Sequence, residues 1–127
     1  MKRVMLVMLS AFVMLVLVAC GNTVEDTMSE KYITKAEDVV SLLNDADYKE
    51  VHGMLDEQMK VGLPEEAMED FAPIFEQSGD FEKINKSSVE EKDGHYIVVL
   101  AVNYSEENRV FTITFNDQDE VAGLYVK

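Results

Sequence analysis

The hydrophobic period of this chain changes once, at Gly79. Before that residue apolar side chains recur every three or four positions; after it they recur every second position. The first spacing marks amphipathic helices and the second marks half-buried strands. Three helices are therefore expected before Gly79. Thr34-Lys35-Ala36-Glu37 matches a capping box, and Ala36, Val39, Val40 and Leu43 follow at helical spacing until Asn44-Asp45. A second helix starts near Asp45 or Ala46, carries Tyr48, Val51, Leu55 and Met59 on one face, and closes at Gly62. Gly53 predicts a bend within it, because glycine costs about 1 kcal/mol relative to alanine there. The third helix opens at Leu63-Pro64-Glu65-Glu66, with proline early and acids in its first turn. Its apolar face is Ala67, Met68, Phe71, Ile74 and Phe75, and Pro73 predicts a kink near Phe71.

Ser78-Gly79-Asp80 reads as a turn, and four strands follow. Phe81 to Val89 is weakly patterned, and the Asp-Gly of Lys92-Asp93-Gly94 predicts a tight hairpin. Tyr96 to Tyr104 is the strongest strand, with Tyr96, Val98, Leu100, Val102 and Tyr104 on one side. Its other side, Ile97, Val99 and Ala101, is apolar too, so both faces are covered over part of its length. Arg109 to Phe115 sets Phe111, Ile113 and Phe115 against Thr112 and Thr114, and Val121 to Val126 closes the sheet. The expectation is an α+β domain: three N-terminal helices packed on a curved four-stranded antiparallel sheet, in two layers with a cavity between them.

The N-terminus carries a different signal. Met1-Lys2-Arg3 is followed by an apolar run, Val4 to Val18, broken only by Ser10. A basic start, a short apolar stretch and a small-residue exit form a secretory signal. The run is shorter than the roughly 20 residues that a spanning helix needs. Leu17-Val18-Ala19-Cys20 resembles the lipobox of bacterial lipoproteins, in which the thiol takes a diacylglyceryl group and the peptidase cuts before the cysteine. The resemblance implies a signal peptide over residues 1–19, a lipid on Cys20, and anchoring by two or three acyl chains at about 0.8 kcal/mol per buried CH₂. Residues 20–31 then read as a polar tether and residues 32–127 as one domain.

Cys20 is the sole cysteine, so its lipidation leaves no thiol for a disulfide, a thiolate metal site or cysteine catalysis. The chain holds 11 basic and 25 acidic residues; without Lys2 and Arg3 the balance is 9 against 25, a formal charge of −16. Such a surface repels phosphate backbones, which argues against nucleic acid as a partner.

Several positions resemble a domain-of-unknown-function family, number 3887, found on small exported lipoproteins of Gram-positive bacteria. They are Leu42-Leu43, Asp47-Tyr48, Val51, Met59, Leu63-Pro64, Gly79-Asp80-Phe81, Phe115-Asn116, Val121 and Gly123-Leu124. Position 71 is Phe where the resemblance leads one to expect a Trp-like residue. What it implies is a cone similar to nuclear transport factor 2, helices folded against a strongly curved sheet. Such cones often hold a pocket at the mouth and often form homodimers through the sheet. They serve many functions, so the fold does not name this one. Tyr48, Phe71, Phe75, Tyr96, Phe111 and Tyr125 are the aromatic residues expected to line that pocket.

Enzymes of this fold place acid–base groups inside the cone, and His52, His95, Asp47, Tyr48, Tyr96, Tyr104 and Tyr125 are the ionisable groups available. Histidines beside a glycine or a turn are usually exposed, and strand tyrosines usually pack the sheet. Asp117-Gln118-Asp119-Glu120 lacks the central glycine of a calcium loop and reads as a polar turn. Glu65, Glu66, Glu69 and Asp70 suit the start of a helix without an ion. With no triad, phosphate loop or His-x-x-x-His pair, no catalytic residue, metal or cofactor is expected. The leading expectation is a binding module on the outer face of the cytoplasmic membrane, engaging a small apolar ligand or an envelope protein. A small-molecule enzyme working inside the cone is the second reading. An immunity-type protein whose acidic surface docks a basic partner is the third.

Overall fold

A computed structural model describes residues 25–127, so the expected signal peptide, Cys20 and the first residues of the tether lie outside the described residues. The chain forms α1 (Asp26–Asn44), α2 (Tyr48–Met54), α3 (Glu57–Gly62), a 3₁₀ stretch (Glu65–Phe71), α4 (Ala72–Ser78) and four strands. These are β1 (Phe81–Lys92), β2 (His95–Tyr104), β3 (Asn108–Phe115) and β4 (Val121–Val126). Helices thus precede one antiparallel sheet of order β1-β2-β3-β4, which is the α+β arrangement.

Helix α1 starts at Asp26, eight residues ahead of the capping box at Thr34. Its buried stripe is Tyr32, Ala36, Val39, Val40 and Leu43, and Met28 continues it one turn earlier, packed against the core. That stripe outweighs the local capping signal, because in a folded chain helix stability comes mostly from burying an amphipathic face. No side chain caps the start; Ser29 N–H bonds the Glu25 carbonyl instead, at 2.8 Å.

The expected second helix is divided into α2 and α3, and the break falls at Leu55-Asp56, not at Gly53. Leu55 is extended and buried, and forms an isolated parallel bridge with Val121. Asp56 N–H bonds the Val121 carbonyl at 2.9 Å, and the Asp56 carboxylate accepts from Met59 N–H at 2.8 Å to begin α3. The sheet therefore claims these two residues from the helix. Gly53 stays helical in open surroundings. The third segment divides where Pro73 predicts a kink: the 3₁₀ stretch ends at Phe71 and α4 begins at Ala72, with proline in its first turn.

All four strands fall where the period of two puts them, with β1 extended to Lys92. Val98, Leu100, Val102 and Tyr104 of β2 face the helices with Phe111, Ile113 and Phe115 of β3, and all are buried. Leu43, Val51, Leu55 and Met68 close over them from the helical layer. Each such side chain contributes about 1.5–3 kcal/mol on leaving water. Register irregularities interrupt β1 at Phe81/Lys83 and Ile84/Lys86, and the β3–β4 pairing at Thr114/Phe115, where they bend the strands and add twist.

Candidate functional site

Three stretches far apart in sequence meet at one end of the two layers. The first is the C-terminal end of α1, where Leu43, Asn44, Asp45 and Ala46 leave the helix. The second is one side of α4 and the turn after it, contributing Ala72, Phe75, Glu76, Gly79 and Asp80. The third is the pair of strand ends at Phe81 and Tyr104, opposite each other in the β1–β2 register. With Tyr48 they enclose a cavity of about 530 Å³. That falls within the range of roughly 300–1,000 Å³ usual for small-molecule sites.

Its aromatic wall is continuous. Phe75 lies 6.1 Å from the Tyr104 ring and 6.0 Å from Phe111 beneath it, and Phe81 meets Tyr104 edge-on at 5.9 Å. Tyr104 is 4% exposed, yet its hydroxyl donates to the Asn44 Oδ1 at 2.6 Å, tying β2 to the end of α1. Burial pushes the Tyr104 phenol up to about 12, against the opposing pull of its bond to Asn44 and of Arg109. It therefore stays protonated near neutral pH and keeps its donor role toward Asn44. Burial also raises Tyr48, with the Glu69 and Glu76 carboxylates adding to the effect. A smaller cavity of about 190 Å³ continues along α1 and β1, sharing Asn44, Asp45 and Phe81 with the first.

The mouth is held by a clamp between two turns. Asp80 N–H bonds Ser105 Oγ and Ser105 N–H returns to the Asp80 carbonyl, each at 2.8 Å. The buried Ser78 donates its hydroxyl to the Ile74 carbonyl at 2.6 Å and accepts from Arg109 Nε at 2.7 Å. Its own carbonyl receives the N–H groups of Glu106 and Glu107. Arg109 completes the clamp by pairing with Glu107 at 2.6 Å.

Of the six aromatics expected at the pocket, Tyr48 and Phe75 line the cavity. Phe111 lies directly below as core, and Phe71 packs half-buried against the core without reaching the mouth. Tyr96 sits toward the opposite end of β2, stacked 4.2 Å from Tyr32. Tyr125 is 64% exposed and pairs with Thr112 on the outer sheet face. Sequence reasoning missed Asn44, Asp45, Glu76, Asp80 and Phe81, all near helix ends or turns whose meeting depends on the tertiary fold. The Gly79-Asp80-Phe81 triplet was their one visible signal.

Of the ionisable candidates, Tyr48 and Tyr104 line the cavity, while Asp47, His52, His95, Tyr96 and Tyr125 do not. His95 is exposed beside the Asp93 carbonyl at 3.2 Å, and half-buried His52 lies outside the cavity, its buried Nε2 without a partner among the described residues. Asp119 belongs to a separate cluster at the other end of the layers. It accepts from the Tyr32 hydroxyl at 2.6 Å and pairs with Lys31 at 2.8 Å. Among the described residues no group of three His, Cys, Asp or Glu side chains is placed to hold a metal, and no helix is long and apolar enough to cross a membrane.

No curated protein matches the sequence. A solved structure is similar in fold, the NMR structure of a protein from Ruminococcus gnavus ATCC 29149. It superposes with a TM-score of 0.66 at 16% identity, over 83% of this chain and 96% of that one. The family described as protein of unknown function (DUF3887) matches residues 36–124, a span that takes in α1 from Ala36, the cavity and the sheet through Leu124. The chain belongs to the DUF3887 family.

Proposed function

We propose that this protein is a lipid-anchored binding module on the extracytoplasmic side of the membrane, with the cavity between α1, α4 and the β1–β2 edge as its ligand site. The cavity itself carries the reading: about 530 Å³, walled by Phe75, Phe81 and Tyr104, and opening at helix ends and turns. The strand irregularities and the helical layer on one sheet face support a nuclear transport factor 2-like cone. The lipobox at Leu17 to Cys20 supports the anchor. Cys20 and Asp26 are six residues apart, so a lipid on Cys20 would hold the start of α1 at the bilayer. The cavity lies at the other end of this 19-residue helix, about 28 Å away at 1.5 Å per residue, and would face outward. Val110 and Tyr125, exposed on the outer sheet face, are where a second copy or an envelope protein would dock.

Native mass spectrometry of the protein released from membranes tests this reading. It is expected to show a diacylglyceryl mass on Cys20 and a small molecule lost on denaturation. A Cys20→Ser variant should lose both the lipid and the membrane fraction. Recovery of a lipidated protein that carries no ligand and takes up none from a cell extract would overturn the binding role.

A further inference from the structure

The cavity lining differs from the purely apolar one that a hydrophobic ligand would call for. Its wall carries the rings of Tyr48, Phe75, Phe81 and Tyr104, and its rim carries Asp45, Glu76 and Asp80. Among the described residues, no lysine or arginine lines the cavity. Arg109, which acts on the Tyr104 hydroxyl, is already paired with Glu107 and donates to Ser78. The rim also receives the C-terminal end of α1, a 19-residue helix with no basic residue in its last turn. That end bears the negative pole of the helix dipole, which nothing on the helix offsets. The smaller adjoining cavity repeats the pattern, with Glu37 and Asp45 beside Phe81 and Ile84.

Aromatic faces, carboxylates and a helix C-terminus favour the same charge. A ring presents its negative face to a cation, and this attraction grows where water is partly excluded. A carboxylate accepts charge-assisted hydrogen bonds from an ammonium group. An anion would meet the three rim carboxylates and the negative end of α1, and a neutral apolar molecule would leave those carboxylates unused at its edge.

We infer that the cavity takes a cationic ligand, an ammonium group carried on an apolar or aromatic body, with the body against Phe75, Phe81 and Tyr104 and the charge among Asp45, Glu76 and Asp80. This rests on the proposed binding role of the cavity and narrows it to one chemical class. The Tyr104–Asn44 bond fixes the floor, and the Asp80–Ser105 clamp fixes the side of the mouth, so the site is formed before the ligand arrives.

Three probes that differ only in their terminal group separate the class from the site: 3-phenylpropylammonium, 3-phenylpropan-1-ol and 3-phenylpropionate. Each is titrated into the full chain in nonionic detergent, following the backbone amide signals of Ala46, Ala72 and Gly79. The ammonium is expected to shift them at least about tenfold more tightly than the alcohol, with the carboxylate weakest, a difference equivalent to about 1.4 kcal/mol. A Glu76→Gln, Asp80→Asn double variant changes only exposed side chains and should bring the ammonium down to the level of the alcohol, with the remaining amide spectrum unchanged. Equal binding of all three probes would overturn the cationic class and leave the cavity a binding site. Silence of these amides toward all three at millimolar concentration would overturn the cavity's binding role as well.

Discussion

The Tyr104 hydroxyl donates to Asn44 Oδ1 at 2.6 Å, joining the last residue of β2 to the last residue of α1. The bond spans the floor of the cavity and fixes the angle between the helical layer and the sheet edge. A Tyr104→Phe variant keeps the ring contacts with Phe75 and Phe81 but leaves Asn44 without its donor. Such a loss costs about 0.5–1.5 kcal/mol, read as a lower urea midpoint at pH 7 with the slope unchanged.

The same pair sets a limit at alkaline pH. Tyr104 ionises at about 12 in the folded protein, against an ordinary value of 10.0. A raised folded value means stability that is fully present below pH 10 and lost as pH rises toward 12. Tyr104→Phe has no proton to lose, so its deficit relative to the native chain should shrink steadily between those limits. Urea midpoints of both proteins at pH 9, 10 and 11 measure the convergence, and a constant gap would show that burial does not hold the phenol protonated.

Gly79 makes the turn at the mouth. Its φ of +84° lies in the left-handed region, and a Cβ there would collide with Ser105 Oγ and crowd the Glu106 backbone. Alanine therefore meets both backbone strain and a clash, and the Asp80–Ser105 clamp must open to relieve them. Gly79→Ala should destabilise by about 2 kcal/mol or more, with the Asp80 and Ser105 amides losing hydrogen-exchange protection first.

How much of this is legible in sequence depends on where each constraint arises. Strand positions come from side-chain alternation, so the inward residues of β2 and β3 follow from the order of amino acids alone. Tyr125 shows the limit. Counting by twos from the buried Val121 puts Gly123 and Tyr125 inward, but the irregularity at Thr114/Phe115 reverses the phase. Thr114 pairs with Gly123, Ile113 with Leu124 and Thr112 with Tyr125, so Tyr125 faces solvent. The break at Leu55-Asp56 is hidden for a related reason. Its cause is Val121, sixty-six positions away from Leu55, and no local propensity encodes that partner. The cavity is the extreme case, since Asn44, Glu76 and Tyr104 become neighbours only after both layers have formed.

At the opposite end of the layers, Asp119 accepts from Tyr32 and pairs with Lys31, holding α1 to the β3–β4 turn. Its carboxyl lies below the ordinary range because of the bond from Lys31, then that from Tyr32. A depressed folded value gives stability that is fully present above the unfolded value, near 4, and lost as pH falls through the folded one. Asp119→Asn should be less stable than the native chain at pH 7 and converge with it below about pH 4. The pair is partly exposed, so added salt should narrow the neutral-pH gap. Thermal midpoints from pH 3 to 7 at low and high salt measure both effects.

Asp56 offers a test of the claim that the sheet, not Gly53, divides α2 from α3. Its carboxylate caps α3 by accepting from Met59 N–H, while its own N–H bonds Val121. Asp56→Ala removes the cap and keeps the backbone bond, costing about 1 kcal/mol and fraying only the six residues of α3. Gly53→Ala, by contrast, places a methyl group in open space on a helix interior, where alanine is favoured over glycine by about 0.5–1 kcal/mol. If Gly53 were the residue that interrupts the helix, alanine there would extend α2 through Leu55, break the bridge to Val121 and destabilise the chain. The division set by Leu55, Asp56 and Val121 predicts the reverse: a higher thermal midpoint for Gly53→Ala, with the Asp56 amide still protected from exchange. Protection at that one amide, measured in both variants, separates the two causes.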